Sequence, residues 1–119
     1  MIPTVFWRWL ALAALIVILW AGFRPDPIPQ YTHDFDKWTH AVGFGVLTLL
    51  SLLAVPRRLG WLVIVSMVVL GAAIEVGQDW LLPRRTFDWA DFAMDAVGVG
   101  LGLAVYVLCL IGRKYIKGI

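Results

Sequence analysis

The chain has 119 residues, 61% of them hydrophobic, with a mean hydropathy of +0.84; a soluble domain of this length is about half apolar, so the excess calls for lipid as solvent. A formal net charge of +2, with no basic patch interleaved with aromatics, excludes a general nucleic-acid role. The single cysteine, Cys109, excludes an internal disulfide and a cysteine-based zinc site, and the length permits one domain over 1–119.

Four apolar stretches follow in chain order, near Val5–Phe23, Trp38–Val55, Gly60–Leu81 and Trp89–Gly112. Each is about long enough to cross a bilayer, which takes roughly 20 residues. The first is read as a retained helix rather than a signal peptide. Its apolar run outlasts a signal core, and the bulky Trp20 stands where a cleavage site wants a small residue. "RPDPIPQYTHDFD" (24–36) is a proline-rich loop, while "PRRLG" (56–60) and "LPRRTFD" (82–88) are turns with a proline stop. The expected architecture is all-α, a bundle of four transmembrane helices.

Basic residues set the orientation. With the N-terminus inside, Arg8, Arg57, Arg58, Arg113, Lys114 and Lys117 are cytoplasmic, and Arg24, Lys37, Arg84 and Arg85 are outside. Both termini are then cytoplasmic. All eight acids (Asp26, Asp34, Asp36, Glu75, Asp79, Asp88, Asp91 and Asp95) fall at the outer end, with His33 and His40. Tryptophans mark the two interfaces, Trp7, Trp9 and Trp61 at the inner and Trp20, Trp38, Trp80 and Trp89 at the outer, where an apolar ring with a wet N–H belongs.

Asp88, Asp91 and Asp95 are spaced three and four apart, so they share one face of the fourth helix, and Gly98 and Gly102 continue that stripe. Asp36, His40 and Gly43 repeat the design on the second helix, and Gly71, Glu75 and Gln78 on the third. Charges in lipid are costly and face a bundle interior or a wet cavity. Glycines at this spacing allow close helix packing. Together they predict a polar pocket open to the outside, floored by glycine contacts, with the first helix as scaffold. Asp36 and Asp88 also suit helix N-caps, and Arg84 or Arg85 an interfacial anchor. Asp95 alternatively serves only to bridge helices.

Three segments, "DKWTH" (36–40), "IEVGQDWLLPRRTFDWAD" (74–91) and "DAVGVGLG" (95–102), together resemble the VanZ-like family. That family's pattern is Asp-Lys-x-x-His opening one helix, Glu-x-x-Gln closing the next, an Arg-x-Phe-Asp-x-x-Asp turn, then Asn and a glycine-rich helix. The resemblance places the family's residues on Asp36, Lys37, His40, Glu75, Gln78, Arg85, Asp88 and Asp91, and departs from it at Asp95, where the family usually has Asn. It implies a small multi-pass protein of the bacterial inner membrane. The family's namesake is linked to low-level resistance to teicoplanin, a glycopeptide that acts on extracytoplasmic cell-wall precursors.

The expected ligand is an anionic or glycosylated envelope molecule, such as a lipid-linked cell-wall intermediate. Arg85 and Lys37 are assigned to phosphate or carboxylate, Asp36, Gln78, Asp88 and Asp95 to binding, and His40, Glu75 and Asp91 to any proton transfer. His40 and Glu75 are expected to pair. No serine or cysteine lies at the outer end to act as nucleophile. The alternative is a non-catalytic assembly protein whose charges lock helix register. A proton-coupled carrier is disfavoured, because the inner halves of the helices lack polar residues. His40, Glu75, Asp91 and Asp95 have the donor types of a divalent-metal site, but three separate helices are not a local metal motif, so no metal or cofactor is expected.

Overall fold

Proline marks several of the helix ends in this chain. The computed structural model describes residues 2–25, 34–83 and 85–118. It contains α1 (Thr4–Gly22), α2 (Phe35–Leu53), α3 (Gly60–Leu81) and α4 (Trp89–Gly118), with a 3-10 turn at Arg57–Leu59. No strand occurs among the described residues. Pro3 precedes α1, Pro56 follows α2, and Pro83 lies just beyond α3, each lacking the N–H that a helix interior needs. The expected outer positions of Asp26, His33 and Arg84 lie outside the described residues.

Consecutive helices run antiparallel, so the ends of α1 and α3 meet the starts of α2 and α4. Three helical segments are long and apolar enough to cross a membrane: Thr4–Gly22, Arg57–Leu81 and Trp89–Lys117. The remaining helix, α2, has 19 residues, long enough to span, with Asp36, Lys37 and His40 in its first turns lowering its hydropathy. It completes the expected four-helix bundle as the inner helix. It packs against all three others and buries Ala41, Phe44, Leu47, Thr48 and Leu52, whereas α1 buries none. The α4 helix also runs past the expected stop at Gly112, through Arg113, Lys114 and Lys117. These side chains suit a helix C-terminus, and no proline halts it. The molecule measures 55 × 27 × 21 Å, longer than a hydrocarbon core of roughly 30 Å.

Outward faces are apolar: Ile16 and Val17 on α1, Val65 and Val69 on α3, and Leu101, Val105 and Leu108 on α4 are all exposed. Six of the tryptophans, Trp9, Trp20, Trp38, Trp61, Trp80 and Trp89, are exposed near helix ends, and Trp7 is half-buried. The interior holds two apolar clusters, Phe44 with Ile74 and Val99, and Leu52 with Val63 and Tyr106.

The contact that sets the geometry is between α2 and α4. A Cβ placed on Gly98 would collide with the Ala41 carbonyl, and one on Gly102 would stand 2.5 Å from the Gly45 carbonyl oxygen. Glycine is required at both positions because backbone meets backbone there. Gly43, expected in this floor, instead faces Ile18 of α1, and Gly45 takes its place. Two side chains fasten α1: Arg8 Nε donates to the Ala54 carbonyl (3.1 Å) at one end, and Gln78 Nε2 to the Gly22 carbonyl (2.8 Å) at the other. Both acceptors belong to helix ends whose carbonyls lack intrahelical partners.

Candidate functional site

The polar end is assembled from the start of α2, the end of α3, the turn before α4 and its first two turns. Asp88 caps α4: its Oδ1 accepts from the N–H of Ala90 (2.9 Å) and of Asp91 (3.3 Å). The Asp88 N–H donates in turn to Glu75 Oε2 of α3 at 3.2 Å. Partial burial works against the Asp88 charge, but the Asp91 N–H, the Lys37 ammonium and the Ala90 N–H outweigh it and hold this carboxyl below its ordinary range. Asp36 lies in the first turn of α2 rather than at its N-cap. That position belongs to Asp34, which adopts the left-handed backbone (φ 59°) that Asp tolerates better than most residues.

Lys37 is a hub. Its Nζ lies 3.0 Å from Asp36 Oδ2, 3.3 Å from Asp88 Oδ2 and 3.0 Å from Asp91 Oδ1. An ammonium has three donors, and here each has a carboxylate. Lys37 is thus committed to protein acids, unlike the expected role beside Arg85. One turn deeper, His40 Nδ1 and Asp95 Oδ1 share a hydrogen bond of 2.7 Å, and His40 Nε2 lies 3.6 Å from Asp91 Oδ2. The direct partner of His40 is therefore Asp95, not Glu75 as expected. Glu75 is still near, since donor atoms of His40, Glu75 and Asp95 all lie within 4.8 Å of one another.

Arg85 differs from Lys37. Its Nε is buried without a hydrogen-bond partner, and among the described residues no carboxylate pairs with it. It borders a half-open cavity of about 160 Å³. Asp36, Thr39, His40, Gln78 and Asp91 give this cavity a polar side, and Ile18, Ala21, Phe44 and Ile74 an apolar one.

A family model described as VanZ/LLP1 matches residues 2–110, which takes in all of α1 and most of α4. The chain belongs to the VanZ/LLP1 family. No curated protein and no solved structure matches it. Membership makes it a membrane protein of a family whose namesake is linked to glycopeptide resistance.

Within this VanZ/LLP1 chain, the nine residues singled out from sequence gather at one end, although they come from three helices and a turn. Asp36, Lys37, Asp88 and Asp91 form the ion-paired group, His40, Glu75 and Asp95 the buried group, and Arg85 and Gln78 line the cavity. Sequence reasoning missed the part of α1. Ile18, Ala21 and Gly22 border the cavity, and the available signal was the small pair Ala21–Gly22 at the end of that helix. It also missed Thr39, whose hydroxyl donates to the Asp36 carbonyl at 2.7 Å and whose side chain lines the cavity.

Proposed function

We propose that this VanZ/LLP1 protein sits in the bacterial inner membrane with both termini cytoplasmic. Its polar end, facing outward, binds an anionic amphiphile of the envelope, such as a lipid-linked or glycosylated cell-wall intermediate. The observation that carries this reading is Arg85, a cation without an acidic partner among the described residues, beside a cavity that is polar on one side and apolar on the other. A guanidinium binds phosphate or carboxylate through two parallel donors, and the apolar side suits a lipid chain. If the bound molecule is also modified, His40, Glu75 and Asp91 are the groups that exchange protons, with water as nucleophile.

Arg85→Lys keeps the charge and loses the planar fork, while Arg85→Gln loses both. Mass spectrometry of lipid retained by the purified protein should show a decrease in the first and a larger one in the second, with a parallel loss of teicoplanin tolerance in cells that depend on the protein for it. Unchanged retention in both reduces Arg85 to an interfacial anchor. Orientation has its own check: a cysteine at Asp34 should react with an impermeant reagent in intact cells, and one at Lys117 should not.

The Lys37 hub favours a second reading, a scaffold with no ligand, because it ties α2 to the start of α4 through three carboxylates. On that reading, Arg85 variants keep their lipid and only hub variants lose fold and phenotype together.

A further inference from the structure

Two groups of donor atoms at the polar end have the same size and different contents. Donor atoms of Asp36, Asp88 and Asp91 lie within 4.8 Å of one another, and the Lys37 ammonium is bonded to all three residues. Donor atoms of His40, Glu75 and Asp95 lie equally close, yet among the described residues no lysine or arginine pairs with any of them. Both carboxylates are sealed from solvent, Glu75 at 0% and Asp95 at 2% exposure. Each keeps a buried oxygen, Glu75 Oε1 and Asp95 Oδ2, with no hydrogen-bond partner. Asp95 Oδ1 is met by His40 and Glu75 Oε2 by the Asp88 N–H, so one oxygen of each carboxylate is left over, and a cation among the three residues would satisfy both.

We propose that His40, Glu75 and Asp95 form a binding site for one divalent transition-metal cation of the Zn²⁺ or Mn²⁺ class. One imidazole nitrogen with two carboxylates suits these ions better than Mg²⁺ or Ca²⁺, which favour all-oxygen sets. Donors about 2.0–2.2 Å from a tetrahedral ion stand roughly 3.4 Å from each other. The His40–Asp95 pair stands at hydrogen-bond distance, 2.7 Å, and opens by roughly 0.7 Å to take an ion in place of the proton, with a Glu75 oxygen within 4.8 Å of a donor atom of each. The surroundings follow the pattern of a supported metal ligand. With the ion on His40 Nδ1, the other ring nitrogen carries the proton and faces Asp91 Oδ2 at 3.6 Å, while Asp91 is itself held by Lys37 at 3.0 Å. A carboxylate behind a ligating histidine fixes its tautomer and raises its basicity. Gly71 makes the room: a Cβ there would stand 3.1 Å from Asp95 Oδ2. Three protein donors leave coordination positions for water, and His40 borders the cavity. The site is independent of the anion reading, since it requires no bound lipid.

The experiment uses the full chain, purified in detergent without a histidine tag, stripped with chelator and incubated with Zn²⁺ or Mn²⁺. After desalting, plasma mass spectrometry should find about one ion per chain for at least one metal. Glu75→Gln and Asp95→Asn should each cut that content about tenfold or more, while Asp79→Asn, exposed on the same helix as Glu75, should keep it. Melting curves of the stripped proteins show whether the variants fold. Wild-type protein with no metal above a protein-free blank overturns the proposal, and so does wild-type content in both ligand variants. If neither variant folds, the wild type loaded with Co²⁺ decides: a histidine–carboxylate site gives visible ligand-field absorption, and a colourless protein overturns the assignment.

Discussion

Between Ala41 and Gly102, α2 and α4 touch backbone to backbone; one to two turns nearer the polar end, the same helices are joined only through side chains. In the first region a Cβ at Gly98 has no space, because the Ala41 carbonyl occupies it. In the second, a lysine and a histidine of α2 each reach acids on the α4 side, Lys37 to Asp88 and Asp91, and His40 to Asp95. The close-packed region has one register and cannot adapt, since packed backbones do not compress. The charged region inherits that register. Its side chains find partners at 2.7–3.3 Å because the glycines below have already fixed the rotation and height of both helices. Packing holds the frame, and the charges are placed by it.

The largest expected effect therefore lies where no charge is present. Gly98→Ala forces the helices apart and should cost about 3 kcal/mol or more, the upper end for overpacking. Gly102→Ala, with the Gly45 carbonyl oxygen 2.5 Å from the new Cβ, should cost slightly less. Gly100→Ala is the control. Nothing lies within 4 Å of its Cβ, so it should be neutral or stabilise by roughly 0.5–1 kcal/mol through helix propensity. Unfolding in mixed detergent micelles measures all three. Equal costs at positions 98 and 100 would break the comparison, because the damage would then come from α4 itself and not from its contact with α2.

These regions were legible to different degrees. Most helix ends were readable because proline and tryptophan act locally, though not the end of α4, which no proline halts, and the glycine stripe of α4 was readable because spacings of three and four fix a face. Which glycine of α2 meets that stripe was not readable. Gly43 and Gly45 are two residues apart and differ in direction by over half a turn, and the rotation of α2 is decided by its partners. Ala41 and Gly45, small residues four apart, carried the missed signal. The candidate site was legible as a set and not as pairs. Lys37 sits beside Asp36 in sequence, but its long side chain also reaches across to Asp88 and Asp91. His40 bonds Asp95 rather than Glu75, a choice made by helix rotation and depth that no spacing within one helix encodes.

A smaller effect is expected at the hub. Lys37→Gln leaves Asp36, Asp88 and Asp91 close together without the cation between them. The group is part-buried, so its cost falls between that of an exposed pair and that of a buried one, about 2 kcal/mol. The deficit should depend on pH. Protonating one of the crowded carboxylates relieves their repulsion, so the gap to wild type should narrow as pH falls from 7 towards 4. Melting temperatures of the two proteins across that range test this; a gap that does not change with pH would mean that Lys37 acts through packing of its stem.

The smallest effect separates the two functions of Asp88, as helix cap and as partner of Lys37. Asp88→Asn keeps an oxygen for the N–H groups of Ala90 and Asp91, and Asn caps about as well as Asp. It loses only a half-exposed ion pair at 3.3 Å, of a kind that contributes about 0–1 kcal/mol. Asp88→Ala loses the cap as well, at roughly 1 kcal/mol more. The sign of the pH dependence follows from the native carboxyl being held below its ordinary range. Its contribution is complete above the unfolded value of about 3.9 and is lost as pH falls through the lower native value. Wild type should therefore lose stability on acidification below about pH 4, and Asp88→Asn should lose less over the same interval while matching Asp88→Ala in slope. If Asn and Ala are equally destabilised at pH 7, the charge matters more than the cap, and the start of α4 is held by Lys37 and Glu75 rather than by its own N-terminal residue.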